Sequence, residues 1–86
     1  MIIIPTEHFK NKVSKLPKSI KIKLSEKIQL FMDEPKKVIL NNHTLHGKYN
    51  GYRSINITGN YRMIYEELPD NSVRLIDIGT HPELYE

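Results

Sequence analysis

Residues 43–65 read HTLHGKYNGYRSINITGNYRMIY. The turn-forming triplet Thr58-Gly59-Asn60 separates two runs of β-branched and aromatic residues, which predicts a β-hairpin with strands at Tyr52–Ile57 and Tyr61–Leu68. Cationic and aromatic side chains alternate there with aliphatic ones. This mixture suits a nucleic acid, because cations pair with phosphates and rings stack on bases. The same pattern also fits a surface hairpin with half-buried tyrosines and solvated arginines.

The pleat of this hairpin determines which side chains share a face. A turn at residues 58–60 predicts three facing pairs: Ile57 with Tyr61, Asn56 with Arg62, and Ile55 with Met63. The two isoleucines and the methionine then face the helices predicted below. Ser54, Asn56 and Arg62 face outward, where an arginine beside an asparagine and a serine is better placed to bind a phosphate than to pack in a core.

The segment before the hairpin predicts one strand and two helices. The β-branched run Ile2–Ile4 is stopped by Pro5 and indicates a strand. Thr6 is a suitable N-cap, and the apolar spacing after it predicts a helix that Pro17 ends. A second apolar stripe predicts another helix, which ends before Pro35. The two stripes consist of Phe9, Val13 and Leu16, and of Ile20, Leu24, Ile28 and Phe31.

The remaining segments carry turn formers. Residues 38–42 are expected to be a connector and residues 43–51 a loop, because the latter contain glycines and an asparagine. Pro69-Asp70-Asn71 predicts a β-turn, Ser72–Ile78 a third strand, and residues 79–85 a polar tail that breaks the sheet. The sequence therefore predicts a single α+β domain over residues 1–86, with a short N-terminal strand, a helical hairpin and a three-stranded antiparallel meander.

The composition excludes several classes of protein. The chain has 86 residues, no cysteine and a formal net charge of +3, with a sequence pI of about 9.2. Without cysteine, neither a disulfide framework nor a thiolate metal site can form. No apolar run approaches the roughly 20 residues of a membrane span. Pro5 cuts the apolar start short, so we expect no signal peptide and a cytoplasmic protein. A mildly basic chain permits an acidic partner, either nucleic acid or protein.

Four motifs from His43 onward give the chain a resemblance to a known family. They are His43-x-Leu45-x-Gly47, Gly51-Tyr52-Arg53, Tyr61-Arg62-Met63-Ile64-Tyr65 and Gly79-Thr80-His81-x-x-Leu84-Tyr85. In order and spacing they resemble the RelE superfamily of bacterial and archaeal toxins, closest to its YafQ-like branch. The resemblance implies a RelE/ParE-like fold and a toxin of a type II toxin–antitoxin system that cleaves messenger RNA in the ribosomal A site. The implied chemistry is attack of a 2′-hydroxyl on the adjacent phosphate, with no metal and no cofactor.

The resemblance also implies roles for single residues. Arg62 matches the arginine that clamps the phosphate. His81 matches the histidine of the Gly-Thr-His motif, a candidate acid or base because imidazole exchanges protons near neutral pH. Tyr85 matches a C-terminal aromatic residue that stacks on a base or positions the phosphate, and His43 matches a loop histidine of the YafQ-like branch. Further contacts with RNA are expected from Lys48, Arg53, Asn56, Asn60, Tyr61 and His46.

Two positions depart from the YafQ-like pattern. Asn56 stands where those toxins have a second strand histidine, and Asn60 stands where they have an aspartate. An asparagine can hold a phosphate or a 2′-hydroxyl but cannot act as a base at neutral pH. His46 is an additional histidine and a candidate substitute. No histidine has an acidic or thiolate partner at ligand spacing, so the sequence gives no indication of a metal site.

Three functional interpretations stay open at this point. The first is a ribosome-dependent mRNA endoribonuclease that is bound by a cognate antitoxin and meets DNA only through that complex. The second is a ParE-like toxin that binds DNA gyrase and is not a nuclease. The third is a degenerate member that binds its antitoxin without efficient cleavage. His81 and Tyr85 favour the first, because ParE-like proteins do not need that combination of acid, arginine and aromatic residue.

Overall fold

A five-stranded sheet forms the centre of the fold, in a computed structural model that describes residues 1–85. Its strands are β1 (Ile2–Pro5), β2 (His43–Thr44), β3 (Arg53–Asn56), β4 (Tyr61–Leu68) and β5 (Ser72–Thr80), in the order β1-β5-β4-β3-β2. Strand β1 is parallel to β5, and the other neighbours are antiparallel. The helices are α1 (Glu7–Ser14), α2 (Lys18–Asp33) and α3 (His81–Tyr85), and 3-10 turns lie at Val38–Leu40 and Gly47–Tyr49.

The predicted α+β class and both predicted helices of the N-terminal half are confirmed. Helix α1 begins after Thr6, whose hydroxyl oxygen accepts the Phe9 N–H at 3.1 Å and whose hydroxyl donates to the Leu75 carbonyl at 2.9 Å. One side chain thus caps α1 and ties it to β5. Helix α2 begins after Pro17 and ends at Asp33, ahead of Pro35.

The hairpin register predicted from the sequence is confirmed. Strands β3 and β4 pair Asn56 with Arg62 and Ile55 with Met63. Ile55 and Met63 are fully buried, as is Ile57. They pack in one cluster with Phe9, Leu24, Phe31, Leu40, Tyr65, Val73, Leu75 and Ile78. Residues from α1 and α2 therefore cover one face of the sheet, which we call the helix face.

The opposite face of the sheet is less open than the sequence predicted. A second buried cluster lies there, formed by Leu45, Ile64 and Leu84, with half-buried Tyr49, Tyr52, Ile76 and Tyr85 packed against it. Ser54 was expected to face outward but is fully buried. The cover comes from residues 43–52 and from α3, which are too short and irregular to show a hydrophobic period in the sequence.

Two predictions of local structure are wrong. The expected loop at residues 43–51 contains strand β2 and the 3-10 turn Gly47–Tyr49. The expected polar tail at residues 79–85 does not break the sheet, because Gly79 and Thr80 complete β5 and α3 follows directly. The predicted meander is present as β3-β4-β5, and β2 and β1 extend it at its two edges.

A capping box accounts for α3. The Thr80 hydroxyl oxygen accepts the Glu83 N–H at 3.4 Å, and the Glu83 carboxylate accepts the Thr80 N–H at 2.7 Å. This reciprocal pair satisfies two N–H groups at the helix start. The hydrogen bond from the Thr80 N–H to the carboxylate, with a further contribution from the Thr80 side chain, lowers the pKa of Glu83 below its ordinary value. The order Thr80-His81-Pro82-Glu83 is the sequence signal for such a start.

Replacing Thr6 with alanine should lower the free energy of unfolding by about 1–2 kcal/mol, because the cap on Phe9 and the hydrogen bond to Leu75 are both lost. Urea unfolding followed by circular dichroism measures the change. Ser14→Ala is the matched control, since the Ser14 hydroxyl is exposed and bonds to the Asn11 carbonyl within its own helix. Equal stability of the two variants would contradict the role given to Thr6.

Candidate functional site

A pocket of about 450 Å³ opens on the sheet face opposite α1 and α2. Its walls come from residues 41–46, β3, β4 and α3. The lining residues are Asn41, His43, Leu45, His46, Ser54, Arg62, His81 and Tyr85. The structure thus brings together the four residues for which the resemblance implies catalytic roles, and adds His46. We call this site the arginine–histidine pocket.

Arg62 supplies the positive charge of this pocket. One terminal nitrogen of its guanidinium donates to the carbonyls of Thr58, Gly59 and Tyr61 at 2.9, 3.1 and 3.1 Å. Within residues 1–85 it forms no ion pair with a carboxylate, whereas Arg74 on β5 pairs with Glu66 at 2.7 Å. Among these residues, its charge is therefore balanced by carbonyl dipoles, which an anionic ligand can replace.

Helix α3 presents His81 and Tyr85 to the pocket. The two residues are four positions apart and so lie on the same helix face, with ring centroids 4.6 Å apart. The backbone N–H of His81 donates to the Asn60 carbonyl at 3.2 Å, which joins α3 to the hairpin turn. Fully buried Leu84 anchors the helix. A Cβ at Gly79 would make ordinary van der Waals contacts of 3.4–3.5 Å with Glu83 and Leu84, which shows that α3 lies close against the end of β5.

His43 and His46 reach the pocket from the segment that precedes β3. The Nδ1 atom of His43 lies 2.7 Å from the Asn41 carbonyl oxygen. A carbonyl can only accept, so the hydrogen is on Nδ1 and the neutral ring keeps a lone pair on Nε2. His43 is therefore suited to accept a proton. Both histidines are exposed.

Several predicted RNA contacts lie outside the pocket. Lys48 lies over the Tyr49 ring, 5.1 Å from its centroid. Arg53 shares the helix face with Ile55, and its guanidinium donates to Asn42 and Thr44 at 2.8 and 2.7 Å. These two bonds make Arg53 an anchor of the chain around β2.

His46 lines the pocket, whereas Tyr61, Asn60 and Asn56 do not. Tyr61 is half-buried and packs against the helix-face cluster. Asn60 borders a neighbouring cavity of about 470 Å³ that it shares with His81. Asn56 lies directly opposite Arg62 in the sheet. These positions leave Asn56 and Asn60 beside the residues implied to be catalytic.

Asp77 is a residue that the sequence analysis missed. It is 9% exposed, and its carboxylate lies 3.1 Å from both Lys12 Nζ and His8 Nε2. It also accepts hydrogen bonds from the Ile78 N–H at 2.8 Å and the Tyr49 hydroxyl at 3.3 Å. The signal was an aspartate inside the apolar run Leu75–Ile78.

The surroundings of Asp77 set the protonation of two groups. Burial by itself would raise the pKa of Asp77, but hydrogen bonds from Lys12 and the Ile78 N–H, together with nearby positive charge, hold it below its ordinary value. Burial raises the pKa of Tyr49, and the negative charge of Asp77 raises it further. Tyr49 thus stays a neutral donor. Its ring meets that of Tyr85 edge-on at 6.0 Å, which connects Asp77 to the pocket.

Residues 1–85 contain neither a metal-binding cluster nor a membrane-spanning helix. In that part of the chain, no three histidine, aspartate or glutamate side chains converge in a way that could hold a metal ion. No helix there is long and apolar enough to cross a membrane.

The strand order and the contents of the pocket agree with the RelE/ParE-like toxin fold that the motifs from His43 onward resemble. The family described as the bacterial toxin of type II toxin–antitoxin systems, YafQ, matches residues 1–86. This chain therefore belongs to the YafQ toxin family. No sequence among the curated proteins matches it.

Solved structures show the same fold. YafQ from E. coli superposes with a TM-score of 0.81 at 24% identity, over 98% of this chain and 97% of that one. YafQ in the E. coli DinJ-YafQ toxin–antitoxin complex gives a TM-score of 0.78 at 24% identity, over 98% and 96% of the two chains. The YoeB/ParE toxin from Agrobacterium tumefaciens gives 0.73 at 18% identity, over 94% and 99%.

Asp77→Asn should destabilise the protein by roughly 1–2 kcal/mol at pH 7, because hydrogen bonds to a charged group are lost. A carboxyl whose pKa is lowered by folding stabilises the protein above its unfolded pKa of about 3.9, and this contribution is lost as the pH falls through the folded value. The stability gap between wild type and variant should therefore narrow below about pH 4.

Urea unfolding at pH 7 and pH 3 measures this gap. Asp70→Asn is the control, because Asp70 is exposed in a turn with a φ of 62°, which asparagine also tolerates. A gap for Asp77→Asn that is the same at both pH values would show that the charge of Asp77 does not contribute.

Proposed function

We propose that this toxin is an endoribonuclease that cleaves messenger RNA in the A site of the ribosome. The observation that carries the proposal is the content of the arginine–histidine pocket. Arg62 offers a cation with no carboxylate partner in the described residues, His43 and His81 offer proton transfer, and Tyr85 offers a ring. Cleavage of RNA by its own 2′-hydroxyl needs a base, an acid and a cation, and this pocket contains candidates for all of them.

The proposed reaction transfers the phosphate within one nucleotide. The 2′-oxygen bonds to phosphorus while the bond to the 5′-oxygen of the next nucleotide breaks. The base takes the hydroxyl proton and the acid gives a proton to the leaving 5′-oxygen, so the products are a 2′,3′-cyclic phosphate and a 5′-hydroxyl. The free Nε2 lone pair of His43 supports its role as the base. His81, at the start of α3, is the proposed acid.

Arg62 is proposed to bind the reacting phosphate, and Tyr85 is proposed to stack on a nucleobase. The guanidinium can exchange its carbonyl partners for two phosphate oxygens, because its planar fork matches their geometry. Charge accumulates on those oxygens in the transition state, so this contact lowers the barrier. The Tyr85 ring, already packed beside His81, is available to stack on a nucleobase.

The partners follow from the same proposal. The messenger RNA on the ribosome is the substrate, and the cytoplasm is the site of action. We propose a cognate antitoxin as the protein partner, since E. coli YafQ has been solved in complex with its antitoxin DinJ. DNA would be reached only through such a toxin–antitoxin complex.

Arg62→Ala should slow cleavage by roughly 10²–10³-fold, the usual effect of removing a contact to transition-state charge. Arg62→Lys should recover only part of the rate, because an ammonium lacks the planar fork. Single-turnover cleavage on programmed ribosomes is the measurement. Arg74→Ala is the matched control, since Arg74 pairs with Glu66 and does not line the pocket. If Arg62→Ala cleaves as fast as the wild type, Arg62 does not bind the reacting phosphate.

His81→Gln should slow the same reaction by roughly 10²–10⁴-fold, because glutamine keeps much of the shape but cannot transfer a proton. Circular dichroism checks that the variant is folded. Undiminished cleavage would remove His81 from the mechanism. A wild-type protein that leaves RNA intact and causes gyrase-dependent DNA damage would instead select the ParE-like interpretation, and the proposal would fall.

A further inference from the structure

Two buried oxygen atoms on the pocket side of β3 have no hydrogen-bond partner among residues 1–85. They are the hydroxyl of Ser54 and the Oδ1 atom of Asn56. Ser54 is fully buried and belongs to the pocket lining. The two residues are two positions apart in one strand, so their side chains point to the same face. Buried polar atoms are normally paired, and leaving one unpaired costs about 1–3 kcal/mol.

The chemistry of these atoms limits what can satisfy them. An amide oxygen only accepts, so the group that pairs with Asn56 Oδ1 must carry a hydrogen. A phosphodiester offers only acceptors and cannot supply it. A hydroxyl can do so, and it can also accept from the Ser54 hydroxyl through its own oxygen. One ligand hydroxyl between the two side chains would satisfy both.

The sheet register indicates which hydroxyl this is. Asn56 lies directly opposite Arg62, and facing side chains in an antiparallel pair are about 5 Å apart at Cβ. If Arg62 binds the reacting phosphate, the neighbouring position belongs to a group very close to phosphorus. In the reaction above, the attacking 2′-oxygen must lie roughly 3–3.5 Å from phosphorus. The 2′-hydroxyl of the substrate carries a hydrogen that it can donate to Asn56 Oδ1, and it lies close to phosphorus. It therefore meets both conditions.

We propose that Ser54 and Asn56 form a ribose subsite that recognises the 2′-hydroxyl of the reacting nucleotide and so distinguishes RNA from DNA. This inference depends on the proposed function. In the bound state the hydroxyl donates to Asn56 Oδ1 and accepts from Ser54. When the reaction begins, its proton passes to the histidine base, because the amide does not take a proton at neutral pH. Water does not reach either oxygen, so lining side chains must shift to admit the ribose.

The test uses messenger RNA in which the reacting nucleotide carries a 2′-amino, a 2′-fluoro or a 2′-deoxy group. All three lack the attacking hydroxyl, so binding of the wild-type protein to programmed ribosomes can be measured without that reaction. The amino group keeps a hydrogen to donate, and the other two do not. We expect the 2′-amino RNA to bind roughly 5- to 100-fold more tightly than the other two, the scale of one buried hydrogen bond.

Four variants assign this preference to the subsite. Asn56→Ala and Ser54→Ala should each reduce the preference for 2′-amino RNA. Asn56→Asp, which keeps an acceptor oxygen, should retain that preference. Ser25→Ala, on α2 across the sheet, is the control and should behave as wild type. Ser54→Ala should also leave the free protein as stable as wild type or more stable, because the hydroxyl it removes has no partner in the part of the chain that the structure describes.

The outcomes separate the two proposals. Equal binding of the three RNAs by a wild-type protein that cleaves normal messenger RNA would overturn the ribose subsite and leave the proposed function standing. Variants at Ser54 and Asn56 that weaken all three RNAs equally would also overturn it, since these residues would then only orient Arg62. A wild-type protein that neither binds programmed ribosomes nor cleaves RNA would overturn both.

Discussion

The pairing of Asn56 with Arg62 in the β3–β4 ladder is the constraint on which the rest of the structure depends. Because side chains alternate along a strand, this one register sends Ile55 and Met63 into the helix-face core and Ser54 and Arg62 to the pocket. A slip of one residue would exchange the two sets, burying the guanidinium under the helices and exposing the aliphatic side chains. Core and pocket are thus products of one turn length, at residues 58–60.

The pocket is assembled from pieces that are too short to be stable alone. Helix α3 has five residues, and an isolated helix of that length does not form in water. Its shape comes from the capping box at Thr80, the burial of Leu84 and the Asn60 carbonyl. The geometry of His81 and Tyr85 therefore depends on the second hydrophobic cluster rather than on regular secondary structure.

The sequence predicted the features that follow from a regular spacing of apolar residues or from a local motif. Alternation predicted the hairpin register, apolar spacing predicted α1 and α2, and Thr6 was recognised as a cap. Arg53 was expected to contact RNA, although the alternation that sends Ile55 to the helix face sends Arg53 there as well. The capping box at Thr80 could also have been found.

Other features could not be predicted, because they depend on contacts between distant segments. The ladder between β4 and β5 changes register between Ile64 and Tyr65, and such a bulge re-aims the side chains that follow it. The meeting of Asp77 with Lys12 and Tyr49 arises only in the folded chain.

The contact between Asp77 and Lys12 also limits how this family member can evolve. Position 12 resembles any lysine on a solvated helix, yet an exchange there would remove the lysine charge that lies 3.1 Å from the buried carboxylate. Positions 12 and 77 should therefore change together.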